Sequence, residues 1–87
     1  MVIDTFIVSD KESIGKGMSV YDTPPTHGLL FLLHKKYSTF TMDGVKFPLH
    51  VYLYDHMGKL MSYFIAHPGD PNMYILSDVT YTLEVPC

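Results

Sequence analysis

The chain has 87 residues, with six lysines, no arginine, nine acidic residues, five histidines and a net charge of −3. Charged residues make up 17% and aromatic residues 14%, whereas an ordinary soluble chain is about 25% charged. The apolar content excludes a disordered acidic chain. A single cysteine, Cys87, excludes an internal disulfide scaffold.

The absence of arginine and the acidic balance argue against a phosphate-tracking nucleic-acid binder, which needs a basic face. The expectation is one domain over residues 1–87, short enough that nearly every apolar side chain must serve the core or an interface. Met1–Phe6 has no basic start and no long apolar run, so the reading is a cytoplasmic protein without a signal peptide, or a virion protein if phage-encoded. The longest unbroken apolar run is Leu29 to Leu33. About 20 residues are needed to span a bilayer, so no membrane partner is expected.

Val2–Val8 is rich in β-branched and aromatic residues and predicts a strand. Ser9-Asp10-Lys11-Glu12 has the Ser-x-x-Glu spacing of a capping box, in which the serine hydroxyl accepts from the Glu12 N–H. A short helix over about Asp10–Met18 follows, with Ile14 and Met18 on one face. Gly15 and Gly17 each weaken it by about 1 kcal/mol relative to alanine, so packing must hold it, or it is a single turn. Tyr21–Gly28 is a loop around Pro24-Pro25. Gly28–Leu33 is apolar after its glycine and predicts a strand covered on both faces. His34-Lys35-Lys36 breaks it, and Tyr37–Met42 alternates as another strand.

Asp43-Gly44 between two alternating runs predicts a type I′ hairpin, whose central residues both need positive φ. The next strand, Val45–Asp55, places Phe47, Leu49, Val51 and Leu53 on one face and Lys46, Pro48, His50, Tyr52 and Tyr54 on the other. Pro48 cannot donate to a ladder and marks an edge or bulge. Asp55–Gly58 is a turn, Lys59–Ala66 a strand, and His67–Pro71 an exposed loop. Asn72–Asp78 is ambiguous. Val79–Pro86 alternates, with Val79, Tyr81, Leu83 and Val85 on one face and Thr80, Thr82 and Glu84 on the other. These elements predict a mainly β domain, a small antiparallel barrel or sandwich of about 5–7 strands with one short N-terminal helix.

The chemistry-bearing residues are sparse. The histidines match no zinc spacing, and turn or edge positions facing water account for them as well as a three-histidine metal site formed in space. Asp43 and Asp55 sit where aspartate serves its own turn. Asp70 and Asp78 flank the last loop, with nothing to hold a carboxylate pair across a cleft. Cys87 reads as an incidental thiol. Tyr52 and Tyr54 share a face with His50. Such a face is either a stacking platform or an interface core, and the acidic balance favours the interface.

Four landmarks occur in the order found in the small bacterial and archaeal family DUF192. Lys16-Gly17-Met18 is similar to the family's Arg-Gly-Leu-Met after its short helix. Gly28-Leu29-Leu30-Phe31 is similar to its Gly-Met-Leu-Phe strand. Phe40-Thr41-Met42, followed by Pro48-Leu49-x-Val51-x-Leu53, resembles its Phe-Trp-Met and Ile-Pro-Leu-Asp-Ile/Val segments. Leu83-Glu84-Val85-Pro86 resembles its closing Leu-Glu-Val-Pro. The resemblance spans nearly the whole chain and implies a compact β-barrel or sandwich. It implies no activity, because none is established for the family, and relatives among phage genes make a viral origin one expectation.

The departures from the family pattern are polar. His50 stands where the family has aspartate after Pro-Leu, Thr41 where it has tryptophan, and Tyr21 falls near an expected arginine. If those polar residues form a shared site, this chain has lost the charge pair together, and Tyr21 and His50 should approach each other.

The leading functional expectation is a non-enzymatic β domain acting through protein–protein contact, by self-association or with a protein partner. A phage virion or decoration component and a host-protein binder are examples. The alternative is a small-ligand- or metal-binding domain or degenerate enzyme with its site around His50. Candidate binding residues are Tyr21, Met42, His50, Tyr52, Tyr54 and His67. No catalytic residue, metal ligand or cofactor is assigned.

Overall fold

The computed structural model describes residues 4–87. The first part of the expected Val2–Val8 strand therefore lies outside the described residues. In chain order the elements are β1 (Thr5–Val8), α1 (Lys11–Lys16), a 3₁₀ turn (Gly17–Val20), β2 (Gly28–Leu32), β3 (Tyr37–Thr41), β4 (Leu49–Tyr54), β5 (Leu60–Ala66), β6 (Met73–Ser77) and β7 (Tyr81–Pro86). The seven strands form two sheets, one of five strands in the order β1-β2-β7-β4-β5 and one ribbon of β3 and β6. Only β1 and β2 run parallel. No pairing joins β1 to β5, so the large sheet is open rather than closed into a barrel.

The ribbon lies across one face of the large sheet and the core fills the space between. Leu49, Val51 and Leu53 of β4, Leu29 and Phe31 of β2, and Ala66 of β5 point inward and meet Phe40 and Leu76 of the ribbon. Fully burying side chains such as Leu49 and Val51 contributes about 1.5–3 kcal/mol each. Phe64 of β5 makes an aromatic junction with the ribbon, 5.7 Å from Phe40 and 5.8 Å from Tyr74 between ring centroids. Such pairs add about 0.5–1.5 kcal/mol beyond area burial.

Local chemistry sets the boundaries. Asp10, not Ser9, caps α1, since its carboxylate accepts from the Ser13 N–H at 2.9 Å. That hydrogen bond holds the Asp10 carboxyl below its ordinary range. The helix stops at Gly17, whose φ of 53° lies in the region glycine tolerates. Met18 is the anchor of this segment, with no exposed surface. Asp55 knits the β4–β5 turn by accepting from the Met57 and Lys59 N–H groups at 2.9 Å each, an Asx-type arrangement.

The expected Asp43-Gly44 hairpin is not formed. The Val45 N–H does bond the Met42 carbonyl at 3.0 Å, but only Gly44 has positive φ, so the turn is not type I′. β3 pairs with β6, and β4 pairs with β5 and β7. The physical reason lies just after the turn. Val45 and Phe47 are buried and drive the chain across the core from the ribbon to the large sheet. Pro48 cannot donate, and β4 begins only at Leu49. The ambiguous Asn72–Asp78 segment supplies the ribbon's second strand, β6.

Candidate functional site

The large sheet has two faces of very different character. Antiparallel partners project to the same side. Leu83 pairs with Leu30 and with Tyr52, and Tyr52 pairs with Tyr63. Tyr81 pairs with Leu32 and Tyr54, and Val85 with His50, which pairs with Ile65. At the β1 edge, Ile7 pairs with Leu30. These residues make a continuous face turned away from the ribbon, and none is a lysine, aspartate or glutamate. Ile7 is 73% exposed, Tyr63 45% and Ile65 46%. In the interior of the face Leu30, Tyr52, Leu83 and Val85 are half-buried.

A short polar contact on this surface joins β4 to β5. His50 Nδ1 and the Tyr63 hydroxyl lie 2.7 Å apart, with the two rings stacked. Tyr52 packs against Tyr63 at 4.8 Å between centroids. His50, Tyr52 and Tyr54 are thus brought together as the sequence places them, on one face of one strand.

The other sequence candidates lie elsewhere. Met42 is a core residue, 2% exposed. His67 sits in the exposed loop after β5, where its carbonyl accepts from the Asp70 N–H. Asp70 in turn accepts from the Asn72 N–H and the Tyr74 hydroxyl, at 2.9 and 2.7 Å, and these bonds hold its carboxyl below the ordinary range. Tyr21 packs on the core side and its hydroxyl lies 3.1 Å from His27 Nε2. His27 stacks on Phe6, centroids 4.2 Å apart. The expected approach of Tyr21 to His50 does not occur: each is engaged by another residue, on opposite sides of the sheet. Among the described residues no three His, Cys, Asp or Glu side chains gather as metal ligands, so the three-histidine arrangement is not formed.

The inner face holds a feature that the sequence reading passed over. Between β2, β7, the ribbon and the α1 segment lies an open cleft of about 970 Å³. Its walls are apolar, with Ile14, Met18, Phe31, Phe40, Val45 and Leu76 among them. Two polar side chains of β7, Thr82 and Glu84, lie on its floor, 3% and 7% exposed. The Thr82 hydroxyl has no hydrogen-bond partner. Loss of hydration pushes the Glu84 carboxyl up to about 8, from an ordinary value of 4.5. Lys11, Lys16, His34 and Lys35 line the cleft as well, with Asp43 as their one carboxylate neighbour there besides Glu84. Lys16 is tied to Glu12 in an exposed ion pair at 3.1 Å.

The alternation of β7 gave the signal, but not its direction. Tyr81, Leu83 and Val85 face outward, and Thr82 and Glu84 face the core. The start of β2 approaches β7 closely in this register. A Cβ added at Gly28 would lie 3.3 Å from the Glu84 carbonyl oxygen and 3.3 Å from Val85 Cγ2.

No helix among the described residues is long and apolar enough to cross a membrane. No family model matches the chain, and no curated protein matches it. A solved structure with the same fold is a protein of unknown function from Novosphingobium aromaticivorans DSM 12444, with a TM-score of 0.82 and 19% sequence identity. The likeness covers 94% of this chain and 61% of that one, so the chain spans about three-fifths of its neighbour's length. At that identity the likeness shows the fold: mainly β, with a short helix near the start.

Proposed function

We propose that the protein is a non-enzymatic β domain acting through protein–protein contact, and that the contact is the outer face of the large sheet meeting a second copy of the chain. The observation that carries this reading is the continuous uncharged face from Ile7 to Tyr63. Solvent-exposed apolar patches of this extent mark interaction sites. Tyrosine concentrated at such a patch suits an interface, since it brings area at low entropic cost.

A second copy is favoured because the face has no fixed charge. A charged partner gains nothing there, whereas two neutral sheet faces stack about 10 Å apart as in a sandwich. Five strands about 4.8 Å apart, each with about five residues of 3.3 Å rise, give a footprint on the order of 400 Å². Two copies would bury roughly 800–1,000 Å², the small end of specific interfaces. An interface of that size fits a weak, reversible dimer.

Light scattering after size exclusion, across a concentration series, tests this. The expected result is a concentration-dependent dimer that Leu83→Lys and Tyr63→Lys each convert to monomer. A strict monomer at high concentration, or a dimer indifferent to both substitutions, overturns it. A virion or decoration component would use such a self-contact, and a host-protein binder would offer the same face to another surface. The four ordered landmarks and the compact β fold support reading the chain as a divergent DUF192 member. The alternative of a ligand site around His50 is not favoured, because His50 and Tyr63 satisfy each other on this open face.

A further inference from the structure

We propose that the cleft between the large sheet and the ribbon is a binding site for a small amphipathic carboxylate that carries a hydroxyl or carbonyl at its far end. The apolar body would lie against Phe31, Phe40 and Leu76, the far oxygen would meet Thr82 and Glu84, and the carboxylate would face the lysines. This site lies on the opposite side of the sheet from the proposed protein contact and is independent of it.

Three observations converge. First, Thr82 and Glu84 both line the cleft and are more than nine-tenths buried, and the Thr82 hydroxyl has no hydrogen-bond partner among the described residues. A buried polar group without a partner costs roughly 1–3 kcal/mol, so the Thr82 hydroxyl calls for an occupant or for ordered water. Second, the cleft of about 970 Å³ is within the range of small-molecule sites and has their make-up, apolar walls with a few convergent polar groups. Water alone would satisfy the floor but gains nothing from those walls. Third, the remaining charges are predominantly basic. Lys11 and Lys35 line the cleft with no ion pair among the described residues, while Asp43 is the one further carboxylate there.

The chemistry of the floor narrows the ligand. Glu84 is uncharged at neutral pH, since its carboxyl titrates near 8. A neutral carboxylic acid and a hydroxyl can each donate to, and accept from, one oxygen-bearing group. An ammonium would need an ionised Glu84 and would have to pass the lysines. An oxygen-bearing inner end and an anionic outer end therefore match both ends of the cleft.

The test is a titration with 8-hydroxyoctanoate followed by amide chemical shifts. Octanoate lacks the far oxygen, 1,8-octanediol lacks the charge, and 8-amino-1-octanol reverses it. The expected result is shifts at Phe40, Val45, Leu76 and Glu84, with 8-hydroxyoctanoate binding best. Thr82→Val should weaken it about tenfold, the worth of one hydrogen bond, while leaving octanoate unchanged. Lys35→Gln should weaken both carboxylates and leave the diol alone. Shifts confined to Leu83, Tyr63 and Ile65 would overturn the proposal, as would tightest binding of the amine. Absence of shifts would also overturn it and leave the cleft to water. Both substitutions conserve volume or lie on the surface, and the dispersion of the free spectrum reports that each variant is folded.

Discussion

Replacing Glu84 by glutamine should change how stability depends on pH. Glu84 sits 7% exposed on the cleft floor, and burial raises its carboxyl from 4.5 to about 8. A raised carboxyl means that the folded chain holds a proton which the unfolded chain releases. Between 4.5 and 8 the native state therefore binds more protons, and stability falls as pH rises. Below about 4.5 the contribution is fully present, and above about 8 it is lost. The gap between the two values, at about 1.4 kcal/mol per pH unit, gives about 5 kcal/mol as the order of magnitude.

That is a large share of the 5–15 kcal/mol by which a domain is stable. Glutamine has nearly the shape of the protonated acid and cannot ionise. The variant should match the parent near pH 5 and exceed it by several kcal/mol at pH 9, with a melting temperature more than 10 °C higher there. Urea unfolding of both proteins at several pH values reads this difference, and the five histidines cancel between them. Parallel pH profiles would refute the burial argument. So would a variant less stable than the parent at pH 9, because that would mean Glu84 is ionised and well served in the folded chain.

Other substitutions probe other parts of the fold. Thr82→Val removes a buried hydroxyl without a partner and should stabilise the protein by about 1–2 kcal/mol in urea unfolding, while weakening ligand binding in the cleft. Gly28→Ala brings a methyl against the Glu84 carbonyl and Val85, 3.3 Å from each. It should cost about 1–3 kcal/mol, read by the shift of the urea midpoint at constant slope. Phe64→Ala removes the ring joining β5 to Phe40 and Tyr74 and should cost about 3–5 kcal/mol in the same assay. Asp55→Ala strips the turn of the acceptor for two backbone N–H groups, and amide exchange should accelerate first at Met57 and Lys59.

The periodicity of the chain placed most strands within a few residues, because β4 and β7 alternate cleanly. What it could not settle was pairing. Asp43-Gly44 is a local signal for a hairpin, but burial of Val45 and Phe47 is a tertiary demand, and the latter directed the chain to the other layer. β6 was ambiguous because Met73–Ser77 is short and mostly exposed, and its partner β3 lies more than thirty residues earlier. The outer face was half legible. Tyr52, Tyr54 and His50 share a strand face in sequence, but Tyr63, Leu83 and Leu30 join them only through sheet order. The cleft was not legible. Thr82 and Glu84 look like the wet side of an alternating strand, since alternation fixes two faces and not which one is buried. β7 carries apolar side chains outward and polar ones inward, against the usual assignment. The departures at Tyr21 and His50 suggested a pair, but their strand faces and partners separate them.

The position of β7 has a consequence for how the sheet assembles. Tyr81–Pro86 is the last strand described, and it lies at the centre of the large sheet, between β2 and β4. Without it, the strands of the large sheet can form only two separate pairs, β1 with β2 and β4 with β5, each with an unmatched edge. The two halves join when β7 inserts and completes both ladders at once. Pairing that distant in sequence is slow, and the waiting edges are templates for wrong partners. A chain cut before residue 81 should leave the β2 and β4 edges unmatched and prone to aggregate, whereas one that includes β7 can close its sheet.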